Sequence, residues 1–120
     1  MKRVAVTGSL VAAALTTAFV LSTPRTARAQ DDAQVKKGQE VYAAQKCQMC
    51  HAIAGKGNKQ NPLDGIGAKL SADDIKKWIT APDEMTKQAK STKKPPMPKK
   101  WASLPAADLD ALVAYMQSLK

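Results

Sequence analysis

The sequence has few of the residues that build a large hydrophobic core. Its 120 residues include one Phe, two Trp, two Tyr, one His and two Cys. Two Cys allow at most one disulfide, so a disulfide-rich scaffold is excluded. The single Phe, Phe19, lies in the apolar N-terminal segment, which leaves four aromatic side chains for a folded domain: Tyr42, Trp78, Trp101 and Tyr115. A domain this small with so few large apolar groups needs a further component to complete its core.

The first 29 residues have the layout of a secretory signal peptide. Lys2 and Arg3 give a positive start, and residues 4–21 are mostly apolar and carry no charge. Ala27 and Ala29 are small residues at the two positions that signal peptidase reads, which predicts cleavage after Ala29 and export to the periplasm. The alternative is an uncleaved membrane anchor, but the apolar stretch is barely long enough to span a bilayer and contains several polar or small residues.

Residues 30–120 are predicted to form one small, moderately basic domain. Four of the 19 basic residues and none of the 10 acidic residues precede residue 30, which leaves 15 against 10 and a net charge of +5. This balance favours an acidic partner or an anionic surface. Nucleic acid is not expected as a partner, because basic and aromatic residues are not interleaved.

Hydrophobic periodicity predicts an all-α domain with three main helices and long loops. Helices are expected over about 32–45, 71–81 and 105–119, and loops over 55–67 and 83–103. The second loop has room for a helical turn near its start, and no strand signal is present. Gly38 within the first helix costs stability relative to Ala, which indicates that another element crosses close to it.

Residues 47–51, Cys-Gln-Met-Cys-His, form a CxxCH sequence. Two thiols three positions apart can bond the two vinyl groups of one haem, and the adjacent His can ligate its iron. A zinc site would need two more ligands, and the chain has no further Cys or His. A redox dithiol usually follows a strand, whereas this pair closes a predicted helix; a plain disulfide is the third alternative. The prediction is one haem attached through Cys47 and Cys50, with His51 as an axial ligand.

The second axial ligand cannot be another His, so a methionine is the soft donor to consider. Four methionines follow residue 30: Met49, Met85, Met97 and Met116. Met97 stands between two prolines that pre-set its backbone, which suits a weak thioether ligand, and ligation by His and Met raises the reduction potential. Met85 is the main rival, and the other role open to Met97 is to fill a gap under its loop.

With these motifs in order, residues 30–120 resemble the small monohaem class I cytochromes c of bacteria. Gly38, Tyr42 and the CxxCH sequence match the family's first helix. Residues 61–67 look like its Gly-Pro-x-Leu-x-Gly loop, although Asn61 stands where Gly is usual. The segment around Met97 is similar to the family's ligand-methionine segment. Tyr115 matches the aromatic residue that packs on the first helix.

The resemblance implies a cytochrome c fold wrapped around one covalently bound haem c, in which the carbonyl of Pro62 accepts a hydrogen bond from His51. It also implies a monomeric electron carrier, and not an enzyme, that shuttles single electrons between exported redox partners without stable membrane insertion. Two alternatives stay open: a haem subunit fixed in a larger dehydrogenase or oxidase, and a haem protein whose labile sixth site binds gases. Four lysines are either a solvated loop or a docking ring for an acidic partner: Lys93, Lys94, Lys99 and Lys100.

Overall fold

The computed structural model describes residues 25–120, and the side chains from residue 31 onward. Most of the predicted signal peptide, residues 1–29, lies outside this range. The described part of the chain contains five helices: α1 (Arg25–Ala44), α2 (Ile66–Lys69), α3 (Ala72–Thr80), α4 (Pro82–Gln88) and α5 (Ala106–Ser118). Two 3-10 turns cover Cys47–Met49 and Lys99–Ser103. None of the described helices is long and apolar enough to cross a membrane.

The three main predicted helices are α1, α3 and α5, and the all-α fold class is confirmed. The first helix begins at Arg25, ahead of the expected start near residue 32. The added segment Arg-Thr-Ala-Arg-Ala-Gln is rich in good helix formers and contains no Gly or Pro, so nothing in it stops the helix earlier. Near the C-terminus of the chain, Pro105 is the residue that immediately precedes α5.

The expectation that the chain has no strand was wrong, because a short antiparallel hairpin follows the CxxCH sequence. Its strands are β1 (Ala52–Ile53) and β2 (Lys56–Gly57). The two turn residues, Ala54 and Gly55, have φ of 51° and 75°. Positive φ at both central residues is the geometry of the tight turns that match strand twist. Sequence periodicity misses such a hairpin because strands of two residues are too short to show alternation.

Helices α1 and α5 pack along each other and form one side of the core. The rings of Tyr42 on α1 and Tyr115 on α5 meet edge to face, with centroids 5.8 Å apart. An ion pair of 2.8 Å joins Lys37 to Asp108 on the outside of the same interface. This crossing matches the expected contact of the last helix with the first.

Helix α3 closes the core from a second direction. The Ser71 hydroxyl caps it by accepting a hydrogen bond from the Asp74 amide at 3.1 Å, as the sequence predicts. Ile75 and Ile79 on its inner face are buried with Leu112 and Met116 of α5. Pro82 ends α3 and, at the first position of α4, begins the next helix, where a missing amide proton costs nothing.

Candidate functional site

A cavity of about 520 Å³ lies between the CxxCH segment, α3, α5 and the loop before the second 3-10 turn. Its walls are mainly aliphatic and aromatic, and they include both tryptophans, Trp78 and Trp101. Every site residue predicted from the sequence lines this one cavity: Cys47, Cys50, His51, Pro62 and Met97. The fold therefore brings together residues that are as much as 50 positions apart in the chain.

The CxxCH segment forms a compact turn that presents both thiols to the cavity. Lys46 takes up the left-handed conformation, which ends α1, and the amides of Cys50 and His51 both donate to the Cys47 carbonyl. The two thiols are free, so the disulfide alternative is not formed. Burial raises the pKa of Cys47 to about 11. A redox dithiol needs the opposite shift, because the thiolate is its reactive form.

His51 is held as a neutral imidazole by its surroundings. Burial lowers its pKa, and a hydrogen bond to the Asn61 carbonyl opposes part of that shift. The ring Nδ1 lies 3.2 Å from this carbonyl oxygen and donates to it when it carries the ring proton. The lone pair is then on Nε2, which is the atom available to ligate a metal.

The carbonyl that faces His51 is that of Asn61 and not, as the resemblance implied, that of Pro62. Ala52 and Pro62 form a parallel bridge. In it, the Ala52 amide donates to the Asn61 carbonyl and the Leu63 amide donates to the Ala52 carbonyl. Successive carbonyls of an extended segment point to opposite sides. The Asn61 carbonyl therefore faces the His51–Ala52 segment, one residue before the predicted acceptor.

Asn61 is a site residue that the sequence analysis did not assign. Besides its carbonyl, its side-chain amide donates to the Cys50 carbonyl at 3.2 Å. The same residue therefore supports both the imidazole and the second cysteine of the motif. The sequence signal for this role was that Asn61 stands where the family usually has Gly, because Asn has a side-chain amide that can donate a hydrogen bond and Gly has none.

Met97 reaches the cavity from the proline-rich loop. It is half-buried and packs against the hydrophobic core, and Pro95, Pro96 and Pro98 line the cavity with it. Its rival Met85 is buried in α4 and does not line the cavity. Met49 is 69% exposed and does not line the cavity. Met116 does line the cavity, but it belongs to the buried stripe of α5.

Trp101 and Lys93 also line the cavity, and neither was expected there from the sequence. Trp101 is buried, and its indole N–H donates to the Gln45 side chain at 3.2 Å. The Lys100 ammonium lies 4.7 Å from the centre of the Trp101 ring. At the mouth, Lys93 Nζ donates to the Gln60 carbonyl at 3.0 Å.

The chemistry of the lining fits haem better than a bare metal ion. Apolar walls suit a large planar ring system, and two thiols beside a neutral imidazole suit covalent attachment with axial ligation. Within residues 25–120, no group of three His, Cys, Asp or Glu side chains is arranged to hold a metal ion. The zinc alternative therefore finds no support in the described part of the chain.

Comparison with known proteins agrees with this geometry. The family model described as Cytochrome c matches residues 35–120, which is well over half of the chain. Searches of curated proteins and of solved structures returned no match. Members of the family bind c-type haem covalently through cysteines, and the only two in this chain are Cys47 and Cys50. The chain belongs to the cytochrome c family and is a haem-based electron-transfer protein.

Proposed function

We propose that this chain is a freely diffusing periplasmic electron carrier with His and Met as axial ligands. The observation that carries the proposal is a single apolar cavity lined by Cys47, Cys50, His51 and Met97. When bound, the haem iron supplies reversible exchange of one electron between its ferrous and ferric states.

The two cysteines anchor the group and His51 orients it. Cys47 and Cys50 would each hold the haem through one thioether bond, because both thiols line the cavity. His51 offers the Nε2 lone pair, and the Asn61 carbonyl holds the ring and raises its basicity through Nδ1. Support of this kind keeps the ligand in place in both oxidation states.

Met97 is proposed to supply the second iron ligand, because it lines the same cavity as His51. A thioether is a weak donor and needs a fixed position, which the flanking Pro96 and Pro98 supply. A soft sulfur ligand favours the ferrous state and so raises the reduction potential. With both axial positions occupied by side chains, no substrate can coordinate, and for this reason we propose a carrier and not an enzyme.

The proposed partner is a redox protein with an acidic docking surface. Between residues 85 and 107 the chain has six lysines and no acidic residue, and this segment includes the loop that lines the cavity. Lys94, Lys99 and Lys100 are exposed there. A surface of one sign next to the cofactor raises the rate of encounter with a partner of opposite sign and orients it.

We further propose that residues 1–29 are removed on export and that residues 30–120 act as a monomer. The charged start, the uncharged apolar stretch and the small residues Ala27 and Ala29 support this processing. Intact-mass analysis of the periplasmic protein should give the mass of residues 30–120 plus one haem. Recovery of the uncleaved chain in the membrane fraction would contradict the proposed removal of residues 1–29.

The deciding experiment is an optical spectrum of the protein made in a host that attaches c-type haem. We expect a haem that survives acid–acetone extraction and is lost in the Cys47→Ala/Cys50→Ala variant. We also expect that carbon monoxide leaves the ferrous spectrum unchanged, because Met97 occupies the sixth position.

Haem that extracts freely would overturn the covalent site. Carbon monoxide binding by the unmodified protein would favour the labile sixth site, and stable copurification with an oxidoreductase would favour a fixed subunit.

A further inference from the structure

Lys93 is the only charged side chain, apart from the titratable His51 and the two thiols, among the described residues that line the cavity. All other lining positions are apolar, aromatic, hydroxyl or amide side chains. Lys93 itself is exposed, so its ammonium group lies at the cavity mouth and not in the interior. A cation at the edge of an apolar cavity can pair with an anionic group of a molecule that occupies the cavity.

The position of the ammonium group is fixed by one hydrogen bond. Lys93 Nζ donates to the Gln60 carbonyl at 3.0 Å, and the Gln60 amide is in turn held by the Asn58 side chain at 3.0 Å. An ammonium group has three protons to donate. One is used by the Gln60 carbonyl, which leaves two for a further acceptor.

A hydroxyl group lies near the backbone of Lys93. The Lys93 amide donates to Ser91 Oγ at 3.4 Å, and the Ser91 amide is tied to the Thr86 carbonyl at 3.0 Å. Ser91 accepts with its oxygen and keeps its own proton to donate. Ser91 and Thr86 both line the cavity. The cavity lining therefore includes one positive charge and a hydroxyl group from residues two positions apart in the same loop, and a cation together with a hydroxyl donor can bind a carboxylate.

Haem brings two carboxylates into a cavity that is otherwise apolar. An ionised carboxylate is costly to bury unless it is paired with a cation and hydrogen-bonded. We infer that Lys93 is the counter-ion of one haem propionate, with the Ser91 hydroxyl as a second donor to the same group. Gln60 acts as the positioning residue that holds the ammonium at the mouth. This inference rests on the proposed haem site but not on the identity of the second axial ligand.

The direct measurement is the pKa of each haem carboxylate in the ferrous holoprotein. Cells fed 5-aminolevulinate labelled with ¹³C at its carboxyl carbon make haem whose propionate carboxylates are labelled, and ¹³C NMR then follows each one through a pH titration. The other titratable side chains lining the cavity are Tyr42, whose pKa burial raises to about 12, and the three residues that the haem engages. The raised pKa of Tyr42 keeps its ionisation well above the range of a carboxylate.

We expect Lys93→Gln to raise the pKa of one carboxylate by about half a pH unit or more, because a nearby cation stabilises the ionised form. Lys93→Arg keeps the charge and should stay close to the parent. Lys94→Gln is the matched control, since it removes the same charge from an adjacent exposed position that does not line the cavity. Ser91→Ala should raise the same carboxylate's pKa by a smaller amount.

Equal carboxylate pKa values in Lys93→Gln and Lys94→Gln would overturn the inference. So would a Lys93→Arg variant that behaves like Lys93→Gln, because the charge would then not matter. The optical spectrum of each variant keeps the two proposals apart. A normal covalent haem spectrum with unshifted carboxylates rejects only the role of Lys93, whereas the absence of covalent haem rejects the proposed function itself.

Discussion

Gly38 of α1 lies so close to Ala111 of α5 that a Cβ atom at position 38 would overlap the Ala111 carbonyl oxygen and lie 2.6 Å from the Tyr115 Cβ. The two helices therefore cross backbone to backbone at this point. The crossing also sets the direction of the chain as it leaves α1, and the CxxCH segment begins three residues after α1 ends. A contact remote from the chemistry thus positions the wall that carries both thiols.

Gly38→Ala should destabilise the holoprotein despite the better helix propensity of Ala. The gain in propensity is about 1 kcal/mol, whereas overpacking against backbone that cannot move aside costs about 1–3 kcal/mol or more. We expect a net loss of up to about 2 kcal/mol in the free energy of unfolding, measured by denaturant titration. Glu40→Ala, an exposed substitution on the same helix, is the control. A Gly38→Ala variant as stable as the parent would mean that the crossing can widen freely.

Met97→Leu should open the iron to carbon monoxide and lower the reduction potential, because it removes the sulfur donor with little change in volume. Met85→Leu is the matched control, since Met85 is buried in α4 but does not line the cavity. We expect Met85→Leu to keep the parent potential and to exclude carbon monoxide. The measurements are spectroelectrochemical titration and carbon monoxide difference spectra. The reverse pattern in the two variants would identify Met85 as the ligand.

The sequence was sufficient to predict the elements whose signals are local. Ser71 and Asp74 mark the start of α3, and the apolar stripe that includes Leu112 and Met116 marks α5. The CxxCH sequence is equally local, because five consecutive residues contain the whole chemical requirement. Each of these patterns is complete within one or two helical turns, so no tertiary information is needed to recognise it.

Features that depend on tertiary contacts could not be predicted in the same way. The choice between the Asn61 and Pro62 carbonyls follows from the parallel bridge to Ala52, and no sequence pattern specifies such a bridge. Likewise, the separation of Met97 from Met85 depends on which one lines the cavity. The bond from Lys93 to Gln60 joins residues 33 positions apart, and only the folded loop brings them together.

Electron transfer to an acidic partner should slow as the salt concentration rises, since exposed charges are screened over about 8 Å at physiological ionic strength. Replacing Lys94, Lys99 and Lys100 by Gln should flatten this dependence. A second triple variant, with Gln at three exposed lysines outside the 85–107 segment, removes the same charge elsewhere and should retain the dependence: Lys36, Lys69 and Lys77. Stopped-flow rates at several salt concentrations supply the comparison. Equal slopes for both variants would place the docking surface on another face.

Raising the pH should exchange Met97 for a lysine in the ferric protein. A neutral amine is a better donor to ferric iron than a thioether, but a protonated lysine has no lone pair, and lysines ordinarily titrate near pH 10.4. The ferrous protein prefers the softer sulfur and should keep Met97. The far-red charge-transfer band between sulfur and ferric iron reports the exchange in an alkaline titration.

The structure distinguishes among the four lysines near Met97. Lys99 forms an ion pair with Asp83, whose hydrogen bond and charge raise the pKa of Lys99, so its amine form appears only at a higher pH than usual. Lys93 is engaged by the Gln60 carbonyl. We therefore expect Lys94 and Lys100 to supply the incoming amine.

Lys94→Gln/Lys100→Gln should move the loss of the band to higher pH, whereas Lys99→Gln should leave it in place. If Lys99→Gln alone delays the exchange, the ion pair with Asp83 opens before the lysine loses its proton, and Lys99 is the ligand.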